Sequence, residues 1–425
     1  VDASGRAAAG GAVTTPPGPL ALDDAIAAAL AMAAPLPAAS VPLASALGRV
    51  LAAPLRATRA LPPWPNAGMD GYAVHVDDVR GASASSPVSL PVVATVPAGA
   101  LPPRPLARGE AMRVMTGAPV PVGADTVIRR EDTDDGTTRV TIRDARDAGL
   151  HVRPAGEDAA AGAEALAAGT VLGPGALQFA AALGAATVSV HARPRVAVLS
   201  TGDELVAVDE AAAAAEARIV DANGVGIAAA AIAAGADAAP PRLVRDDLDA
   251  LTAALAEAGR TADVIVTSGG VSSGAFDHAK AAVRAAGGEV AFWRMRARPG
   301  SQLAVGRLGA AIWLGFPGNP VSAWTCAHVL LQPIVRRLLG EQDAAPAFEA
   351  VQLAESVRRD ASMTLLLRVV LAPEYADLPT ARLAGRQGSH LLHAAARATA
   401  ILRLEPGPAP APAGTVVSAL RVLRW

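Results

Sequence analysis

"VTSGGVSSGAFDHAK", Val266 to Lys280, passes from an apolar run into a helical pattern through a turn made almost wholly of glycine and serine. Glycine supplies unusual backbone angles in tight turns, and that alone accounts for such a loop. The same composition also suits an anion cradle, where bare backbone N–H groups and hydroxyls meet an oxyanion at a helix start. No Gly-Lys-Ser/Thr follows, so the loop is not a P-loop. Either way, a strand precedes the turn and a helix follows it.

That unit repeats outward along the chain. "RVAVLSTGDEL" reads as a buried strand and a loop, "ANGVGIAAAAIAAGA" as a helix, "RLVRDDL" as a strand end and "LDALTAALAEAG" as a helix. "ADVIVTSGG" and "FDHAKAAVRAAGG" give another strand and helix. "EVAFWRM", "QLAVGR" and "AAIWLGF" read as strands, and "NPVSAWTCAHVLLQPIVRRLLG" as a closing helix. Such alternation predicts a doubly wound α/β domain over 193–340, a parallel sheet with helices on both faces. Ligands of these sheets sit beyond the carboxyl ends of the strands. "STGDE", "VRDD", "TSGGVSSG" and "FPGNP" all fall there, so four loops should converge on one edge.

The flanks have a different texture. Residues 20–192 predict a mixed α+β region. Its first part, Leu20 to Arg59, reads as helical with Asp23 and Asp24 near a helix start. A β-rich insert occupies about 60–150. A short helix from Pro174 to Ala182 and a strand from Thr187 to Val190 follow. Residues 341–425 predict a small all-β, barrel-like domain, and 1–19 a disordered lead-in. A length of 425 residues suits several domains. The run from Thr170 to Ala192 lacks Asp, Glu, Lys and Arg, but Gly173-Pro174-Gly175 breaks it, so no membrane span is expected. A net charge of −2 argues against nucleic-acid binding. The single cysteine, Cys326, allows no intrachain disulfide and no cysteine metal cluster, and it fits a cytoplasmic setting.

The strand-end loops carry the chemistry. Ser268, Gly269, Gly270 and Ser272 can donate to phosphate oxygens. Thr201, Asp203 and Glu204 follow one strand, Asp246 and Asp247 another, and Asp277 follows the cradle. Acids beside a phosphate cradle repel the phosphate unless a divalent cation mediates, and Mg²⁺ held by one or two carboxylates plus substrate phosphates fits that pattern. Taken singly, each acid reads first as a helix cap or a solvated charge; the set together points to function. "FWRMRARPGSQL" places Arg294, Arg296 and Arg298 at alternate positions, so a strand there would present three guanidiniums on one face. An edge strand with a charged solvent face gives the same pattern. In "FPGNPVSAW", Pro317 and Pro320 make a stiff turn with Pro320 in the first helical turn.

Together, "GMDGYAV", "RVMTGAPVP", "AGED", "STGDEL", "RDD", "TSGGVSSGAFDHAK", "AFW", "PGNPVSA" and "RQGSH" resemble the molybdopterin molybdenumtransferase family, MoeA and the related domain of gephyrin. The likeness runs through nearly the whole chain after about residue 20. It implies insertion of molybdenum from molybdate into adenylylated molybdopterin, with release of AMP and with Mg²⁺ or a similar cation. It implies site acids at Asp70, Asp158, Glu204, Asp246 and Asp277, with Glu204 and Asp246 as metal ligands. It also implies a hydroxyl at Thr116 and an oxyanion-binding pair at Arg368 and Ser389. Thr201, Gly202, Ser268, Gly269, Gly270, Ser272, Arg294, Arg298, Ser301, Pro317 and Pro320 would bind the substrates. The family forms an elongated homodimer, in which the half carrying Asp70 and Thr116 faces the central and C-terminal domains of the other subunit. A partner adenylylating enzyme is a further expectation.

One loop departs from the family. Where "KPGKP" is usual, this chain has "RPGSQ", with Arg298 for one lysine and Ser301 for the other. Arginine keeps charge and oxyanion affinity, but serine loses a charge. That departure leaves a non-catalytic carrier of the pterin nucleotide as an alternative. The central domain also resembles the stand-alone adenylyltransferase, although that enzyme lacks the flanking β domains.

Overall fold

The structure, a computed structural model, describes residues 18–213, 217–269, 275–372 and 378–422. The lead-in expected at the N-terminus lies, up to residue 17, outside the described residues, as do Gly270 and Ser272 of the cradle. The chain forms two compact units: one holds the chain up to Ala39, Gly48–Ala52 and the chain from Val190 onward, the other Ser40–Leu47 and Ala53–Ser189.

In the first unit a central sheet runs in the order Asp237–Ala238, Arg195–Thr201, Val264–Gly269, Ala311–Phe316, Ala304–Leu308, Glu289–Trp293, with Arg242–Val244 also pairing beside Arg195–Thr201. The pairings up to Ala311–Phe316 are parallel, and the last two strands run antiparallel. Side chains alternate across it as a period of two requires. Val264, Val266, Ile312 and Leu314 join one core, with the helices Leu22–Ala31 and Ala222–Ala233 and the closing helical run. Ile265, Ala311 and Trp313 join the other, with the helices Leu248–Ala258 and Ala275–Ala285. Both faces are therefore dry, and the loops are the parts left to meet a ligand. The closing helix is one run with a π-helical turn at Ala327–Leu331 between Pro320–Cys326 and Gln332–Leu338.

Five strands close a barrel at the C-terminal end: Thr364–Ala372, Thr380–Leu383, Phe348–Leu353, Val416–Arg421 and Ala400–Leu404, the last pairing back to the first. A short helix, Leu392–Arg397, adds to the expected all-β content. Ala297–Arg298 extends this barrel sheet by pairing with Thr364 and Leu365.

The long helical stretch expected from Leu20 to Arg59 is shorter. The helix covers Leu22–Ala31, and Ala38–Pro42 is a strand. Pro35, Pro37 and Pro42 explain the stop, since proline removes a helix donor and clashes with the preceding turn.

The second unit is built on a five-stranded sheet ordered Thr126–Arg129, Gly71–Val74, Ala111–Val114, Val88–Val96, Arg139–Ile142. Gly71 must be glycine: a Cβ there would lie 1.9 Å from the carbonyl oxygen of Ile128. The helix Pro174–Ala182 lies where the sequence places it. Among the described residues, no helix is long and apolar enough to cross a membrane.

Candidate active site

Strand register assembles the central edge. Thr201 pairs with Val244 on one side and Gly269 on the other, and Ser268 pairs with Phe316. The loops that carry Glu204, Asp246 and Pro317 therefore leave one edge side by side, the edge at which Ser268 and Gly269 also end. Gly269 shows how tight this edge is. Its φ is +113° and a Cβ would lie 1.8 Å from the Thr201 carbonyl oxygen, so no other residue fits. Gly202, at φ +152°, leaves room for the Glu204 carboxylate, whose oxygens would lie 2.7 and 2.8 Å from an added Cβ.

The acids divide by role. The Asp247 carboxylate accepts from Ala250 N at 2.8 Å and caps the helix Leu248–Ala258, a structural task. Asp203 Oδ1 accepts from Asp246 N at 3.3 Å, which ties the two acidic loops together. Arg218 donates to the Asp203 carbonyl oxygen. Glu204 is exposed and Asp246 half-buried. Asp277 lies within the helix Ala275–Ala285, with its side chain outside the described residues.

A cavity of about 690 Å³ opens between the central domain and the barrel. Arg298 and Ser301 line it from the "RPGSQ" loop, Pro317 and Asn319 from the "PGNP" loop, and Leu365, Leu367, Leu383, Gln387 and Ser389 from the barrel. Pro320 sits in the first turn of the following helix, and the next residue, Val321, donates its N–H to the Ser389 carbonyl at 3.0 Å. That bond joins the two walls. The Arg298 side chain is 64% exposed and lies 3.6 Å from Asp360.

Arg368 does not line the cavity. It is fully buried, and one of its terminal nitrogens donates to the carbonyls of Arg386 (3.2 Å) and Gly388 (3.1 Å). Among the described residues its Nε and Nη1 have no hydrogen-bond partner. Burial pushes its pKa below the ordinary arginine value. Gln387 completes the lock on this loop, accepting from Arg368 N at 2.9 Å and donating to the Arg368 carbonyl at 3.1 Å.

The three arginines expected on one strand face do not share one. The strand ends at Trp293, and Arg294 takes φ 67°, a left-handed conformation that breaks the alternation. Its guanidinium turns onto the Trp293 ring, 4.1 Å from the centroid, and Lys280 Nζ stands 4.3 Å from that same centroid. Arg296 N donates to Leu20 O at 2.8 Å, and Arg298 belongs to the barrel sheet.

Within the second unit, Thr116 donates to Asp70 Oδ1 through both its N–H and its hydroxyl, each at 2.7 Å. Those bonds, the backbone one first, hold the Asp70 carboxyl below its usual range. Asp158 is exposed, and its N–H donates to the Leu61 carbonyl at 2.9 Å.

Asn223, Gln387 and Arg218 also shape the site, and none of them is among the residues expected from the sequence. Asn223 had a signal: it is the one polar side chain in the helix "ANGVGIAAAAIA". Gln387 and Arg218 act through long-range hydrogen bonds that no local pattern announces.

Residues 20–184 match the model of the MoeA N-terminal region (domains I and II), 197–337 that of a probable molybdopterin binding domain, and 350–422 that of the MoeA C-terminal region (domain IV). A protein named molybdopterin molybdenumtransferase 2 from Mycobacterium tuberculosis is 38% identical over 337 residues, 78% of this chain and 83% of that relative. A molybdopterin molybdenumtransferase from Nostoc sp. is 37% identical over 324 residues, 75% of this chain and 74% of the relative. The crystal structure of a molybdopterin biosynthesis MoeA protein from Pyrococcus horikosii aligns with TM-score 0.80 at 28% identity, covering 96% of this chain and all of that one.

Proposed function

The chain belongs to the molybdopterin molybdenumtransferase (MoeA) family, and from that premise we propose that it inserts molybdenum from molybdate into adenylylated molybdopterin, releasing AMP. The observation that carries the proposal is the cavity of about 690 Å³, with Arg298, Ser301 and Ser389 on its wall and leucines on its barrel side. Its size and mixed lining suit a planar heterocycle joined to anionic groups. Arg298 supplies charge for a tetrahedral oxyanion, and the serines supply directed donors. The backbone and hydroxyl at the end of Val264–Gly269 bind the pterin phosphate, and the helix after it favours negative charge.

Arg368 supports the same reading. Among the described residues this buried guanidinium has no carboxylate partner and three unused N–H groups, on Nε and Nη1, and burial of such a charge is tolerated only where an anion or directed carbonyls compensate it. In this role it holds the loop of Gly388 and Ser389 by two carbonyls, so Arg368 positions that wall.

Magnesium belongs to the proposal as well. The described residues hold no cluster of three protein ligands. The donor set that fits is Glu204 and Asp246, on neighbouring loops, completed by substrate phosphate oxygens. Bound there, the cation would neutralise phosphate charge against these acids. We also propose a homodimer in which Asp70 and Thr116 of one subunit serve the strand-end loops of the other.

A non-catalytic carrier of the pterin nucleotide is the second reading, and Ser301 in place of a lysine is the feature that favours it. Calorimetric titration separates the ligands. Arg298→Ala should weaken molybdate binding about tenfold and weaken adenylylated molybdopterin much less, since its phosphate is held at the end of Val264–Gly269. A loaded chain whose molybdate affinity is the same in wild type, Arg298→Ala and Ser389→Ala would remove the cavity from the proposal.

A further inference from the structure

One amide side chain joins the two subsites. Asn223 is the second residue of the helix Ala222–Ala233, whose first turn is fixed by Asp221 accepting from Gly224 N at 2.8 Å. Asn223 Nδ2 donates to Ser268 Oγ at 3.1 Å and to the Gly318 carbonyl at 2.8 Å. A carbonyl oxygen can only accept, so the second bond fixes which end of the amide points there. With both N–H groups of Asn223 engaged, the Ser268 hydroxyl is an acceptor towards it. Its own proton is then left to donate elsewhere.

The surroundings hold this arrangement still. On the next residue back, Thr267 Oγ1 accepts from Trp313 Nε1 at 3.2 Å, so the strand end is pinned from both faces of the sheet. Ser268 is buried and its strand partner is Phe316, one residue before the "PGNP" loop. Gly318 lies between Pro317 and Asn319, both of which line the cavity.

We infer that Asn223 is a positioning residue for the pterin nucleotide: it orients the Ser268 hydroxyl as a donor to a phosphate oxygen and sets the distance from that phosphate to the oxyanion cavity through Gly318. The inference rests on the substrate reading proposed above. Asn223 touches no reacting atom; it acts through the two loops it bridges.

The test is a double-mutant cycle on the full chain, read by the affinity for adenylylated molybdopterin and by the molybdate concentration for half-maximal cofactor formation. Asn223→Ala and Ser268→Ala should each weaken nucleotide binding about tenfold, and the double variant should be little weaker than either, because both remove one donor. Asn223→Ala should also raise the molybdate requirement, whereas Ser268→Ala should not, since only Asn223 holds Gly318. Asn223→Asp keeps the shape but turns an acceptor on the Gly318 carbonyl, so it should bind no better than the alanine variant. Thermal melting checks that each chain is folded. Folded Asn223 variants with wild-type affinity, or effects that multiply in full, overturn the role of Asn223 alone. A folded wild type that binds no adenylylated molybdopterin overturns the substrate reading and this inference with it.

Discussion

At the scale of single residues, the informative side chains are those whose partners come from far along the chain. Arg368 stood out in the sequence only through the family resemblance, as an oxyanion-binding residue; its burial, and the loop it holds, follow from tertiary packing. Asn223 likewise has partners 45 and 95 residues away. Asp70 and Thr116 were legible as residues, because "MDGYAV" and "MTGAP" are distinctive, and the structure joins them by two bonds of 2.7 Å. The strand after Asp70 rests on an ion pair between a buried carboxylate and a half-buried guanidinium. Arg129, whose strand pairs with Gly71–Val74, grips Asp147 through Nε (2.6 Å) and Nη2 (2.7 Å). That guanidinium, above all, brings the Asp147 carboxyl down from 3.8 to about 2, against the effect of its burial. A carboxylate with a depressed pKa stabilises the fold fully above its unfolded value and loses that contribution as pH falls through its folded value. Asp147→Asn should therefore cost about 2–3 kcal/mol near neutral pH. In urea titrations the gap to wild type should shrink as pH falls from about 4 towards 2. A gap that stays constant with pH would mean that the carboxylate charge is not what stabilises this site.

At the scale of elements, the strand–loop–helix units were legible because burial on both faces leaves continuous apolar runs, and glycine marks the turns. The register then puts Val244, Thr201, Gly269 and Phe316 at one edge, as the loops' positions in sequence suggested. What escaped was local backbone. A left-handed Arg294 cannot be read from "FWRMRARPGSQL", and it redirects the chain from the central sheet to the barrel. The result matters for the proposed molybdate site. Arg298 remains on the cavity wall, while Arg294 is engaged with Trp293. Ser301 lines the cavity with a hydroxyl where the family pattern has a charge. One missing charge at contact distance in a partly screened site is worth on the order of 1–4 kcal/mol, or roughly one to three decades in affinity. Ser301→Lys should lower the molybdate concentration for half-maximal cofactor formation and leave nucleotide binding little altered. Saturation of the wild type at micromolar molybdate, with no gain from lysine, would show that the arginine suffices.

At the scale of the whole molecule, three kinds of domain were legible from texture: a β-rich insert, an alternating α/β centre and a β-rich C-terminal end. The barrel expected at that end closes because Thr364–Ala372 pairs with Ala400–Leu404 as well as with Thr380–Leu383. Assembly is the level at which the proposed homodimer can be tested. A chain carrying Asp70→Ala mixed with one carrying Asp277→Ala should regain part of the activity, since one site of each mixed dimer would be intact. Mixed dimers as inactive as either parent would rule out a shared site. The proposed reaction can be assayed directly. The purified chain is given adenylylated molybdopterin, molybdate and Mg²⁺, and AMP release and molybdenum cofactor formation are followed separately. AMP and molybdenum cofactor should appear together in equal amounts, and both should fail without molybdate. Tight binding of the nucleotide with neither product formed would contradict the proposed reaction.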